Sequence, residues 1–200
     1  MKPFERQIRA QGFRAVAGLD EAGRGPLAGP VVAAAVILPP QGRWRGINDS
    51  KLLSAPEREK AYGLLTEKAS GMGVGIVDVA EIDRRNIFWA SLRAMELAVQ
   101  DLPDLPDYLL IDGSHGLSLS LPQQAIPHGD RLCLSIAAAS IVAKVTRDRL
   151  MQEYHRQFPQ YNFAQNKGYG TREHLEALLQ HGCCPLHRRS FRRIHQPSLL

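Results

Sequence analysis

Apolar residues recur along this chain in two rhythms, one of strand length and one of helical spacing. Ala15 to Leu19 is a short apolar run that predicts a strand ending at Asp20. A glycine- and proline-rich turn follows, from Gly23 to Pro30. Val31 to Leu38 then resumes with small and β-branched residues until Pro39-Pro40 stops it. Two strands joined so closely predict an antiparallel pair. Met72 to Val77, Tyr108 to Ile111 and Gln123 to Ile126 predict three further strands, and the second of them leads straight into Asp112-Gly113.

Between these runs the period lengthens. Ser54 and Glu57 have the spacing of a capping box, with Pro56 in the first turn, and predict a helix reaching about Ala69. From Glu81 to Gln100, Ile82, Asn86, Trp89, Leu92 or Arg93, and Leu97 step at helical intervals, predicting one helix ended by Pro103 and Pro106. Ser135 to about Gln157 predicts a long helix that opens on small, closely packing residues and stops at Pro159. Thr171 is placed to cap a last helix, Arg172 to Gln180, with Gly182 at its C-terminal side. Strands and helices interleave without an internal repeat. The expected class is α/β, a mixed sheet flanked by helices. At 200 residues, one compact unit is expected: residues 1–160 as the main domain and 161–200 as a small helical C-terminal part.

Composition narrows the setting. No run approaches the roughly 18–20 uncharged apolar residues of a membrane span. The charged start, Met1 to Arg9, lacks the apolar stretch of a signal peptide, so a cytoplasmic protein is expected. Cys133, Cys183 and Cys184 offer no CxxC spacing, which argues against structural zinc and for reduced thiols. The formal net charge of +5 permits a polyanionic partner. Arg188, Arg189, Arg192 and Arg193, flanked by His187 and His195, concentrate that charge near the C-terminal end and are expected to meet phosphates.

Candidate chemistry begins with position. Asp20 and Glu21 end one predicted strand, Asp112 ends another, and Asp130 follows a third. The crevice at the carboxyl ends of strands is the usual ligand site of α/β folds. One Asp-Gly or Asp-Glu is ordinarily a solvated turn. Four carboxylates converging from separate segments would repel one another unless a cation bridged them. Oxygen-only ligands favour a hard ion, Mg²⁺ or Mn²⁺, over zinc. His115, His128 and His174 are expected to be structural or solvated.

The turn with Gly23, Gly25 and Gly29 loosely imitates a dinucleotide fingerprint. That motif needs a helix behind it, whereas Pro26, Pro30 and a β-rich run follow. Close backbone approach to a nucleic-acid strand is the better use. Asn48-Asp49-Ser50-Lys51 and Asn166-Lys167-Gly168-Tyr169-Gly170 are polar turns able to hold phosphates, with Tyr169 placed to stack on a sugar or base.

Read together, these segments resemble the type 2 ribonuclease H family. The resemblance is carried by AGLDEAGRGPLAGPVVAAAV from Ala17, NDSK from Asn48, LLIDG from Leu109, HGD from His128, LSIAAASIVAKVTRD from Leu134, NKGYGT from Asn166 and HRRSF from His187. It spans almost the whole chain. It implies a ribonuclease H-like fold and a metal site of Asp20, Glu21, Asp112 and Asp130, with Mg²⁺ or Mn²⁺ as cofactor. It also implies that Gly23, Arg24 and Gly25 read the ribose 2′-hydroxyl together with Tyr169. Asn48, Ser50, Lys51, Lys144, Lys167 and Arg188 become candidates for substrate contact, and Arg147 for a phosphate or supporting role. The implied substrates are RNA–DNA hybrids and duplex DNA carrying embedded ribonucleotides, cut by a chain expected to act as a monomer. The short Gln-led end, Gln196 to Leu200, raises a replication clamp as a partner. The chain departs from the family pattern at His128 and at Leu52, where lysines are common. The rival readings are a hybrid-binding protein without activity, which would be expected to lack a carboxylate, and another nuclease on the same fold.

Overall fold

Five strands form a single sheet in the order β3-β2-β1-β4-β5 in the computed structural model, which describes residues 3–195. They are β1 (Val16–Ala22), β2 (Val31–Ile37), β3 (Gly71–Val77), β4 (Tyr108–Asp112) and β5 (Gln123–Ile126). The helices are α1 (Pro3–Ala10), α2 (Ala55–Lys68), α3 (Val79–Arg85), α4 (Ile87–Gln100), α5 (Gly129–Leu132), α6 (Leu134–Gln157), α7 (Phe163–Asn166), α8 (Arg172–His181) and α9 (Arg192–His195). β1 pairs antiparallel with β2 and parallel with β4. β2 pairs antiparallel with β3, and β4 parallel with β5, so the sheet is mixed, as expected.

Both faces of the sheet are covered, which explains why β2 reads as an unbroken apolar run rather than an alternating one. Its side chains divide by parity. Val31, Ala33, Ala35 and Ile37 pack with Ala90, Ala94 and Ala98 of α4, whereas Ala34 and Val36 pack with Ala137, Ile141 and Val145 of α6. The small residues opening α6 allow contact at backbone distance. A Cβ on Gly18 of β1 would lie 2.2 Å from the Ser135 carbonyl carbon, so only glycine fits there. A third apolar cluster joins Leu27, Ala28 and Met151 to Tyr161, Phe163, Leu175 and Leu178, tying the C-terminal helices to the turn after β1.

The predicted helix over residues 81–100 is two helices. Asp78 caps α3 by accepting the Glu81 amide at 2.8 Å. The chain then turns at Asn86, in the left-handed region at φ 68°. Its side chain accepts from the Phe88 and Trp89 amides and caps α4. Local hydrogen bonding from an asparagine thus overrides an otherwise continuous helical pattern. Helix α1 was not among the predicted elements, although Phe4 and Ile8 stand one helical turn apart. Glu5 on that helix accepts from the backbone and hydroxyl of Ser135, capping α6 across 130 residues of chain. Among the described residues, no helix is long and apolar enough to cross a membrane.

Candidate active site

The geometry of β1 and β4 brings the carboxylates together. Leu19 stands beside Ile111 in the parallel ladder, so the next residues, Asp20 and Asp112, leave the two strands side by side. Leu19 and Ile111 face the α4 layer, which puts Asp20 and Asp112 on the opposite face and Glu21 back on the α4 side. β5 then returns the chain through His128, held left-handed at φ 57°, into α5. There the Gly129 amide donates to Asp112 Oδ1 at 2.6 Å and Asp130 is buried. Lys51 Nζ reaches Asp130 Oδ2 at 3.1 Å, and Arg24 Nη1 reaches Glu21 Oε1 at 3.3 Å.

Asp20, Glu21, Asp112, Arg24 and Lys51 border a cleft of about 860 Å³, whereas Asp130 is joined to it through Lys51 and is not in its lining. It gathers Asp20, Glu21 and Asp112, the loop residues Gly23, Arg24 and Gly25, the cations Lys51 and Lys144, Ser50, and Tyr169. A Cβ on Gly25 would lie 3.5 Å from Tyr169 Cε1, so the exposed ring borders the Gly-Arg-Gly loop. The sequence reading missed Arg58, also in the lining, whose guanidinium donates to the Ser50 and Leu53 carbonyls. Nothing in its helical setting on α2 distinguished it from neighbouring basic residues.

Three expected contacts sit elsewhere. Asn48 is exposed outside the cleft lining and spends its side-chain oxygen on the Asp49 amide. Lys167 turns its ammonium onto the Ala164 carbonyl at 2.7 Å. Arg188 needs a larger correction, because it is fully buried. Its guanidinium donates to the carbonyls of Gly23, Arg24, Gly29 and Pro30, so it shapes the loop from behind. Arg147, also buried, binds the Ala28, Pro30 and Lys167 carbonyls from the other side. A Cβ at Gly23, where φ is +97°, would collide with the Arg147 guanidinium at 2.1 Å. Burial pulls Arg147 down to about 10 and Arg188 to about 9, so both stay charged at neutral pH. His115 and His128 are exposed, and His174 is buried and hydrogen-bonded, as expected of structural or solvated imidazoles.

The electrostatics of the cleft are those of crowded acids. Burial, then the charges of Glu21, Asp112 and Asp130, raise the Asp20 carboxyl well above its ordinary value. Burial also raises Glu21, against the opposing pull of Arg24, and raises Asp112 despite the Gly129 amide. Lys51 is opposed by burial, but its bond to Asp130 and the surrounding carboxylates hold it charged more firmly than usual. The donor set is all oxygen, and Arg24 and Lys51 pair directly with only two of its four acids, which suits a hard divalent cation. The acids stand apart, however: among the described residues, no three His, Cys, Asp or Glu side chains lie close enough to form a ligand shell as they stand. Lys51 pairs with Asp130 at 3.1 Å and Arg24 with Glu21 at 3.3 Å.

A stability effect follows. Asp20, Glu21 and Asp112 bind protons more tightly in the folded chain than in the unfolded one. Without divalent cations their contribution is complete below the ordinary carboxylate values, 3.8 for Asp and 4.5 for Glu, and is lost as pH rises through the raised folded values. In urea titrations with chelator, from about pH 4 to 8, Asp20→Asn is expected to be increasingly more stable than the parent as pH rises. Parallel profiles for the two proteins would show that Asp20 is not raised on folding.

Comparison with known proteins agrees with this architecture. The ribonuclease HII family model matches residues 17–195. A ribonuclease HII of Syntrophus aciditrophicus is 58% identical over 96% of this chain and 91% of its own. The ribonuclease H2 structure from Pyrococcus horikoshii OT3 superposes with a TM-score of 0.77 at 27% identity, covering 91% of this chain and 96% of that one. The ribonuclease HII solved in complex with PCNA from Archaeoglobus fulgidus gives 0.75 at 25%, covering 88% and 95%. The sheet and its helices are thus those of a ribonuclease H-like hydrolase. The chain belongs to the ribonuclease HII family, whose members are metal-dependent ribonucleases H acting on nucleic acid.

Proposed function

We propose that this chain hydrolyses the RNA strand of RNA–DNA hybrids and cuts on the 5′ side of single ribonucleotides embedded in duplex DNA, leaving 3′-hydroxyl and 5′-phosphate ends. The observation that carries this reading is that one cleft is lined by acids from two strands, Asp20 and Glu21 with Asp112, together with the Gly-Arg-Gly loop, Tyr169 and Lys51, which reaches the neighbouring Asp130. Asp20, Glu21, Asp112 and Asp130 are assigned to hold Mg²⁺ or Mn²⁺. Bound there, two such cations supply an activated water and neutralise charge on the leaving oxygen.

The chain's own groups do the rest. The backbone of Gly23–Gly25 lets a sugar approach closely, and the 2′-hydroxyl is the atom by which RNA and DNA differ. Tyr169 offers its exposed ring to that sugar or to a base. Lys51, Lys144 and Arg58 bring positive charge to the phosphates, while Lys51 also binds Asp130 at 3.1 Å. The family's metal dependence and the polyanionic substrate both fit this mixture of acids and cations. The PCNA complex of the Archaeoglobus fulgidus relative supports a clamp as a partner, and the end proposed to meet it, Gln196–Leu200, lies outside the described residues. Action as a monomer in the cytoplasm is part of the same reading.

End-labelled duplex DNA carrying one ribonucleotide is the direct test. With Mg²⁺, a single cut 5′ of the ribonucleotide is expected, and no cut in the matching all-DNA duplex. Comparable cleavage of both would point to a different nuclease on this fold. Binding without cleavage under either metal would favour the inactive hybrid-binding protein.

A further inference from the structure

Two buried histidines behind the cleft form a hydrogen-bond chain that runs in one direction. The Cys184 amide donates to His187 Nδ1 at 2.9 Å, which places the ring proton on Nε2. A longer approach of that Nδ1 to the Cys184 carbonyl, 3.3 Å, is the weaker alternative. His187 Nε2 then faces His174 Nε2 at 3.0 Å and donates to it. His174 Nδ1 carries the remaining proton and donates to the Tyr169 carbonyl at 2.8 Å. Both rings are buried, against Tyr161 and Phe163. The order of donors closes only if both imidazoles are neutral. Burial lowers both, and His187 falls to about 4 because a proton added there would also meet any charge on His174.

The next residue, Arg188, holds the carbonyls of Gly23 and Arg24. Ala28 and His187 form a bridge, the Arg188 amide donates to the Leu27 carbonyl, and the Leu27 amide donates to the Gly168 carbonyl. The dipeptide His187-Arg188 therefore grips two separate loops, one through a side chain and one through a relay. These are the loops that bear Gly23–Gly25 and Tyr169.

We infer that the His187–His174 relay, working with Arg188, is a positioning device for ribose recognition: it fixes Tyr169 relative to the Gly-Arg-Gly loop, and so sets how strongly the cleft prefers a ribonucleotide over a deoxyribonucleotide. Neither histidine touches the cleft, so both act through other residues. The inference rests on the ribose-facing role proposed above for Gly23–Gly25 and Tyr169.

The test is a pair of affinities, measured in an Asp112→Asn background so that the duplex stays whole. One duplex carries a single ribonucleotide and its twin is all DNA. A parent that binds both equally overturns the ribose reading and this inference with it. Given a parent preference, His187→Leu is expected to reduce it about tenfold, the scale of one buried hydrogen bond left unmade. Affinity for the all-DNA duplex, set by phosphate contacts, should stay within about twofold. His187→Gln, whose amide can still donate toward His174, should recover part of the preference. His174→Asn keeps a donor for the Tyr169 carbonyl but cuts the link to His187, and is expected to lose preference should His187→Leu fail to fold. A folded variant with the full parent preference overturns the inference. So does an equal fall on both duplexes, which marks general loosening.

Discussion

Asp112→Asn is expected to cut an RNA–DNA hybrid at least about a thousandfold more slowly than the parent at saturating Mg²⁺, the scale on which loss of one preorganised electrostatic group acts. The substitution is nearly isosteric, and the amide oxygen can still accept the Gly129 N–H that Asp112 Oδ1 holds at 2.6 Å. Local folding is therefore preserved and only the charge beside Asp20 disappears. Single-turnover rates, with circular dichroism to show an intact fold, would check this. A variant within tenfold of the parent would remove Asp112 from the chemistry, whatever the position of Glu21 and Asp130.

The second large effect is on stability. Arg188→Met should cost about 3–5 kcal/mol, because the carbonyls of Gly23, Arg24, Gly29 and Pro30 lose a shared buried donor. For a chain of this length that lowers the melting temperature by on the order of 10 °C. Arg188→Lys should rescue little, since an ammonium cannot reproduce the planar fork. Exposed Arg192 nearby supplies the control, with a change within about 0.5 kcal/mol on removal. Equal melting temperatures for the variants at 188 and 192 would show that the buried guanidinium is not what holds the loop. Arg147 shares the Pro30 carbonyl with Arg188 and also holds those of Ala28 and Lys167, so the double variant at 147 and 188 is expected to be worse than the sum suggests.

Much of this was legible in the sequence, for reasons that particular residues make plain. β1, β2 and β4 announced themselves as apolar runs with carboxylates or prolines at their ends, and the capping box at Ser54 and Glu57 is formed as its spacing predicts. The convergence of Asp20 and Asp112 followed from both lying at strand ends. What periodicity could not supply was burial of charge. Arg147 and Arg188 look like surface cations in a basic sequence, yet both are fully enclosed, because the irregular turn from Gly23 to Pro30 leaves carbonyls without strand partners. Nor could spacing reveal the contact between His174 and His187, which depends on how α8 and the segment after it meet. The break at Asn86 was readable in principle. Asp78 with Glu81, and Asn86 before an apolar run, are both cap signals, but the continuous helical period outweighed them.

Diffraction from crystals soaked in Mn²⁺, measured at the manganese absorption edge, tests most directly whether the four acids are a metal site. A strong anomalous peak is expected among Asp20, Glu21, Asp112 and Asp130, with the carboxylates drawn in from their present spacing, and it should vanish in Asp112→Asn. Manganese bound elsewhere, with those four side chains unmoved and unbound, would contradict the assignment.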